Sequence, residues 1–533
     1  MRNMTIIILL LLSALFARTA AAVDVTVINR LASGDSEEKI GAIAQLAREA
    51  PEEALPVLKA LAEDALYLAG DRLVTVDGDT VRDASSGAAI TPAPSGREPI
   101  TINNRVRREV AATISSLNLF ATDKDTRFNA AKALAEKAAP ESLALIEKAL
   151  AKESDPEVQK RLGVARNKAA LGSPSAEVRL EAVRELGSDA GPDTRQLLAG
   201  LLVSKGDAWA EPDANVRAAA AASLKSIDRR LTLGETLGSI FTGISLGSLL
   251  LLAAMGLAIT YGVMGVINMA HGELLMIGAY SAFAVQSLFR AWLPGWVDWY
   301  LVAALPVGFS ASALVGIFLE RIVIRHLYGR PLETLLATWG ISLFLIQAVR
   351  TFFGAQNVEV ANPTWMSGGI EVLPNLMLPW NRVIIIGFAV AVLSGMWAIL
   401  NMTRLGLFIR AVTQNRPMSG CVGVSTGLID SLAFGLGAGI AGLGGVALSQ
   451  VSNVGPDMGQ GYIVDSFMVV VLGGVGQLAG TVLAAFGLGE VSKFLEGWSG
   501  AVIAKIVVLV FIIVFIQKRP QGLFALKGRT VES

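Results

Sequence analysis

Asn268, His271 and Glu273 fall within six residues of one another, in Val266-Ile267-Asn268-Met269-Ala270-His271-Gly272-Glu273, inside an otherwise apolar stretch. Polar side chains in hydrocarbon are costly without partners or water. Such a cluster is therefore either a hydrogen-bond knot holding a helix break or a gate touching a passing solute. Gln450, Asn453, Asp457 and Asp465 lie near a second apolar boundary and are read as shaping an entrance, while Lys505 is expected to snorkel from a helix end. Gln477 closes the glycine-rich break Leu472-Gly473-Gly474-Val475-Gly476-Gln477. Enzymatic chemistry has little support. Cys421 is the one cysteine and there are two histidines, too few for an intrachain disulfide or a zinc cluster. No Gly-x-x-x-x-Gly-Lys-Ser/Thr phosphate loop is present, so the chain holds no ATPase of its own. No row of membrane carboxylates suggests an ion relay, and neither a metal nor a cofactor is expected.

The elements that must position these residues follow from hydropathy. Of 533 residues 53% are hydrophobic, and the mean hydropathy is +0.54, too apolar for an ordinary soluble protein. The formal charge of zero averages two unlike halves, a charged one to about Arg230 and a sparsely charged one beyond. No clustered basic excess marks a nucleic-acid surface. Residues 1–22 resemble a secretory leader, with Arg2, an apolar Ile6–Phe16 core and Ala20-Ala21-Ala22 as cleavage site. Residues 23–230 are predicted to form an exported all-helical domain. A loose motif recurs at Asp123–Arg127, Asp155–Val158, Glu177–Arg179 and Asp213–Arg217, which resembles HEAT-type helical repeats. Leu73–Val81 interrupts it with two β-prone runs around Asp77-Gly78, a hairpin signal.

The apolar half, 236–527, is predicted to be a polytopic α-helical membrane domain, making the whole fold all-α with eight or nine crossings. Spans are placed at 238–262, 265–289, 300–324, 335–353, 382–400, 427–450, 463–490 and 500–517. Basic residues at Arg321–Arg330, Arg404–Arg416 and Lys518-Arg519 belong to the cytoplasm by the positive-inside rule. With the first domain outside, parity fails at 463–490. A re-entrant hairpin or two short crossings, broken at the glycines, restores it. Such a break is tolerated only inside protein or beside a cavity. The run Gly435–Gly445 is read first as close helix packing, with a narrow pore wall compatible. The longest basic loop, 401–423, carries Arg404, Gly406, Arg410, Ala411, Pro417 and Gly423 in an amphipathic pattern suited to docking another protein.

Over roughly 236–527 the sequence resembles the permeases of branched-chain amino-acid ABC importers, the LivH/LivM-like family. The blocks are Tyr261–Glu273, Glu320-Arg321, Arg410-Ala411-Val412, Val471–Gly476 and Arg519–Phe524. Within the family it looks most like urea-importer permeases, through Gly420–Val424, Leu448–Asp457, Asp465-Ser466-Phe467 and Phe515–Arg529. Leu407 departs from the arginine common after the coupling-loop glycine, which weakens residue-level assignment of the ATPase contact. The resemblance implies a bacterial inner-membrane subunit with a periplasmic N-terminal domain and a cytoplasmic C-terminus. Its partners would be two cytoplasmic ATPases, a second related permease, a periplasmic urea-binding protein and membrane lipid. Import of branched-chain amino acids or another small solute is the alternative; a passive channel with an exported sensor domain, or a non-transporting scaffold, are readings of other classes.

Overall fold

The computed structural model describes residues 25–524, apart from 33–34, 50, 71, 78–79, 86–87, 91, 93, 95, 137–139, 190, 206–207 and 374. The leader expected at 1–22 and the residues after Phe524 lie outside this range, as does the centre of the Asp77-Gly78 turn. The chain divides into two compact units, Met1–Arg229 and Arg230–Ser533.

The first unit is helical with a small sheet. Its helices are α1 (Val25–Asn29), α2 (Ser36–Glu49), α3 (Pro51–Ala62), α4 (Asn104–Asn118), α5 (Lys124–Glu136), α6 (Leu143–Lys152), α7 (Pro156–Ala170), α8 (Ala176–Leu186) and α9 (Pro192–Leu201). Helix starts are written locally. Asp155 caps α7 by accepting from the backbone of Glu157 and Val158, with Pro156 at the first turn, where its missing N–H costs nothing. An all-α fold is therefore corrected. β1 (Leu66–Ala69), β2 (Arg72–Asp77), β3 (Thr80–Asp83) and β4 (Glu98–Pro99) form an antiparallel sheet in the order β3-β2-β1-β4. The expected hairpin is β2–β3, with Val76 opposite Val81. β1 was missed because Leu66–Ala69 continues an apolar run that reads equally as helix. A short ribbon, β5 (Ser204–Lys205) with β6 (Ala208–Trp209), follows.

Three arginines in this unit repeat one geometry. Arg127 donates to the carbonyls of Ala121 and Thr122 at 3.0 and 2.9 Å, Arg179 to Ser173 and Pro174 at 2.8 and 3.0 Å, and Arg217 to Glu211 and Pro212 at 2.8 and 2.7 Å. Arg127 and Arg179 also fork onto carboxylates further along, Glu153 and Glu211, both almost wholly buried. The same glutamates accept backbone N–H groups of Asp155 and Asp213, which themselves cap the next helices. The first two turns are thus each tied to a later one.

In the second unit, the membrane helices are α10 (Ala214–Met264, whose first turns belong to the first unit), α11 (His271–Trp292), α12 (Tyr300–Ile322), α13 (Pro331–Phe353) and α14 (Trp380–Met402). After the short α15 (Arg404–Gln414) and α16 (Arg416–Cys421) come α17 (Thr426–Leu448), α18 (Met458–Gly473), α19 (Leu478–Ser499) and α20 (Ala501–Lys518). Eight are long and apolar enough to cross a membrane; α18, at 16 residues, is shorter. The hairpin β7 (Gly369–Leu373) and β8 (Leu376–Pro379) lies between α13 and α14.

Three span boundaries differ from expectation. α10 starts far before residue 238, since nothing between Ala214 and Met264 breaks a helix. The second span starts at His271 because Gly265, at φ +66°, ends α10 and 265–268 is irregular. The 463–490 segment is two helices, parted where Gly474 (φ +99°) and Gly476 (φ +75°) adopt a backbone that side chains disfavour.

α17 is the buried centre of this unit. Its glycines face neighbouring backbone on several sides: Gly437 meets Gly256 of α10, Gly442 meets Gly278 of α11 and Gly308 of α12, and Gly445 meets Leu275 and Ala279 of α11. Close packing accounts for the run, and none of Gly435–Gly445 lines the cavity described below.

Candidate functional site

The interrupted stretch before α11 is positioned by α13. Residues 334, 338 and 342 lie one turn apart, so Thr334, Thr338 and Ser342 share one buried face. Thr338 Oγ1 accepts the Met269 N–H at 3.1 Å, and Ser342 donates to Glu273 Oε1 at 2.8 Å. His271 Nε2 lies 3.0 Å from the Ala253 carbonyl on α10. Asn268 Oδ1 accepts the Ala270 N–H at 3.0 Å. Half of the cluster is therefore a structural knot. The other half is not: Asn268 Nδ2, His271 Nδ1 and Glu273 Oε2 are buried with no protein partner. Buried polar atoms are ordinarily paired, and three exceptions fall here within six residues.

The remaining candidates do not join it. The Tyr300 hydroxyl lies 2.9 Å from the Ala361 carbonyl and 3.1 Å from Gln450 Oε1, sharing its one proton between them, and Gln286 donates to the same Ala361 carbonyl at 2.8 Å. That arrangement anchors the 354–379 connection, as does the Val358–Val454 bridge beside it. Asn453 sits exposed in the turn between α17 and α18. Asp457 is paired with Arg350 of α13 at 2.7 Å. Lys505 does not simply snorkel: its ammonium lies 3.2 Å from Asp465, joining α20 to α18. A lone charge in an apolar segment looks free in sequence, because its partner is on another helix.

A cavity of about 1080 Å³ opens between α10, α14, α15 and the α18–α19 break. Its walls are mostly apolar, from Ile259, Val263, Leu393, Trp397 and Val482, with Ser394, Asn401, Arg410, Thr413, Gln414 and Gln477 as polar groups. Among the candidate residues, Gln477 and Arg410 meet here. Arg410 donates to Asn401 at 3.2 Å. Gly406 is held against α14, and a Cβ there would strike the Leu400 backbone, so this glycine lets α15 fold back on its neighbour. Arg404 stands in the first turn of α15, capped by Thr403; Ala411 lies in its last turns, Pro417 at the start of α16, and Gly423, at φ +88°, just after α16.

Sequence reasoning found no row of membrane carboxylates, and the structure modifies this. Besides Glu273, both Glu320 and Asp430 are fully buried, yet each is paired with an arginine, Arg325 and Arg416. Among the described residues no group of three or more His, Cys, Asp or Glu is placed to hold a metal.

A bundle of glycine-packed apolar helices, with broken elements beside a cavity and buried polar groups at depth, is the form of a polytopic membrane transport component. Residues 239–516 match the model of the family described as the branched-chain amino acid transport system / permease component, and the chain belongs to that family. It is a transmembrane permease component and not itself catalytic. The branched-chain amino acid permease BraD of Pseudomonas aeruginosa is 29% identical over 293 residues, 54% of this chain and 95% of that protein. The LivH permease of Escherichia coli is 29% identical over 295 residues, covering 54% and 94%. The ribose import permease RbsC of Escherichia coli is 26% identical over 271 residues, covering 49% and 78%. No solved structure matches the chain.

Proposed function

We propose that this chain is the membrane-spanning permease of an ATP-driven importer for branched-chain amino acids or a chemically related small solute. The observation that carries the reading is the family match across 239–516, the segment containing both the unpaired strip at Asn268–Glu273 and the cavity. Two cytoplasmic ATPases, a second related permease and a periplasmic solute-binding protein complete the machine. α15 and α16 form the elbow that receives the ATPases, and the exposed Arg410 is the charge at that contact. The basic segments face the cytoplasm of a bacterial inner membrane and the C-terminus is cytoplasmic. The 23–230 domain follows a cleaved leader 1–22 into the periplasm. There it is a HEAT-like stack, a reading supported by the recurring arginine-to-carbonyl geometry of Arg127, Arg179 and Arg217.

The solute route uses Asn268, His271, Glu273 and Gln477, with Gln450, Asn453, Asp457 and Asp465 shaping its entrance. Urea is a second reading, favoured by the sequence blocks at 420–424 and 448–457. The mostly apolar cavity wall suits a branched aliphatic side chain better than urea, which offers nothing apolar to bury. Reconstituted complex should accumulate labelled leucine, with unlabelled isoleucine competing and urea not. Accumulation that persists with inactive ATPases would refute the pump, and displacement by urea alone would reverse the choice of solute.

Arg410→Glu should leave ATP hydrolysis running while lowering uptake about tenfold, by reversing charge at the elbow. Unchanged coupling in that variant would remove Arg410 from the contact.

A further inference from the structure

Two buried carboxylates lie where α12 ends and α17 begins, and one tyrosine joins them. Glu320 is fully buried and accepts from Arg325 Nε at 3.3 Å and Nη2 at 3.2 Å, from the Tyr328 hydroxyl at 3.1 Å and from Ser431 at 2.5 Å. Arg325 Nη2 also donates to the Gly427 carbonyl at 2.9 Å and to Ser431 at 3.0 Å. Asp430, one residue before Ser431, receives both prongs of Arg416, at 2.9 and 2.7 Å. The Arg416 guanidinium in turn stands 5.0 Å over the Tyr328 ring. Tyr328 therefore touches one ion pair with its hydroxyl and the other with its face.

Arg416 is the first residue of α16. Its two-pronged bond fixes both the distance and the orientation of α16 relative to α17, which a point contact does not. α17 is the buried helix packed on α10, α11 and α12. A displacement at the elbow thus reaches the core of the bundle through Arg416 and Asp430, and Tyr328 and Arg325 pass it to the end of α12. Both acids are buried while their arginines are partly exposed, so the link cannot slide without leaving a carboxylate unpaired in a dry setting. Packing alone tolerates such sliding. A charged link does not.

We propose that Arg416, Asp430, Tyr328, Glu320, Arg325 and Ser431 form a rigid coupling latch, positioning residues that make movement of the α15–α16 elbow and reorientation of α12 and α17 a single event. This rests on the importer reading above. Its direct test is the ratio of ATP hydrolysed to solute imported in the reconstituted complex, compared at equal recovered complex. Arg416→Gln and Asp430→Asn should each raise that ratio about fivefold or more. Tyr328→Phe, which keeps the ring over Arg416 but loses the bond to Glu320, should raise it less. A merely structural role predicts less recovered complex at an unchanged ratio, and that result would overturn the latch. Hydrogen exchange on the permease supplies a readout independent of transport. Arg416→Gln should speed exchange across 404–421 and leave 478–518 as in the parent, whereas unchanged exchange across 404–421 refutes the latch. If the parent complex shows no ATP-driven uptake, the importer reading fails, and the exchange result still judges the link.

Discussion

Gly445→Val is expected to abolish recovery of folded permease. A Cβ at Gly445 would lie inside the contact distance of the Leu275 carbonyl and within 2.9 Å of the Ala279 nitrogen. Both are backbone atoms of α11, so no side chain can turn away; the two helices must separate. Overpacking that side chains absorb costs about 1–3 kcal/mol. Here the separation would also part Gly442 from Gly278, one turn along the same contact, and the cost should exceed that range. In lipid no hydrophobic force compensates, since helix association depends on close van der Waals fit. The measurement is the yield and thermal stability of detergent-extracted protein. Gly387→Val is the control: it sits in α14, where an added Cβ meets nothing within 4 Å. If Gly445→Val matched that control, the close α11–α17 packing would be wrong.

The second large effect belongs to the first unit. Arg179→Ala should destabilise the α8 region by about 3–5 kcal/mol, the usual consequence of removing one partner from a buried ion pair. Glu211 is 3% exposed, and its carboxylate would lose a two-pronged partner at 2.8 and 2.9 Å. The carbonyls of Ser173 and Pro174 would lose their donor as well. The pH dependence follows. Hydrogen bonding to Arg179 holds the folded Glu211 carboxyl below its ordinary value of 4.5. A depressed carboxyl contributes stability that is present above the unfolded value and lost as pH falls through the folded one. Glu153, held low by Arg127, adds in the same direction. Hydrogen exchange across 176–216 in the intact protein should therefore accelerate as pH drops below about 4.5, after correction for intrinsic exchange. In Arg179→Ala exchange should already be fast at neutral pH and change less. A parallel pH profile in both proteins would show that the pair adds nothing.

Much of this architecture could be read along the chain. The apolar half, its spans and the glycine break all follow from local composition, because every residue in hydrocarbon must satisfy its own backbone. The β2–β3 hairpin was legible in its alternating Val and Thr residues around Asp-Gly. The strands β1 and β4 were not, since an apolar run and a Glu-Pro pair become strands only when an edge is offered to them. Site residues divided in the same way. Asn268, His271 and Glu273 stood out because polarity is rare in such surroundings. Their partners Thr338 and Ser342 did not, being ordinary residues some 69 positions away.

The sequence by itself determined that this chain crosses a membrane, where its helices break, and which family it resembles. Those properties depend on side-chain type and near neighbours. The tertiary structure alone decided that Lys505 meets Asp465, that Arg416 meets Asp430, and that Arg410 and Gln477 face one cavity. A carboxylate kept charged in a low-dielectric interior needs an opposite charge, and only the packing of helices distant in sequence says which one is within reach.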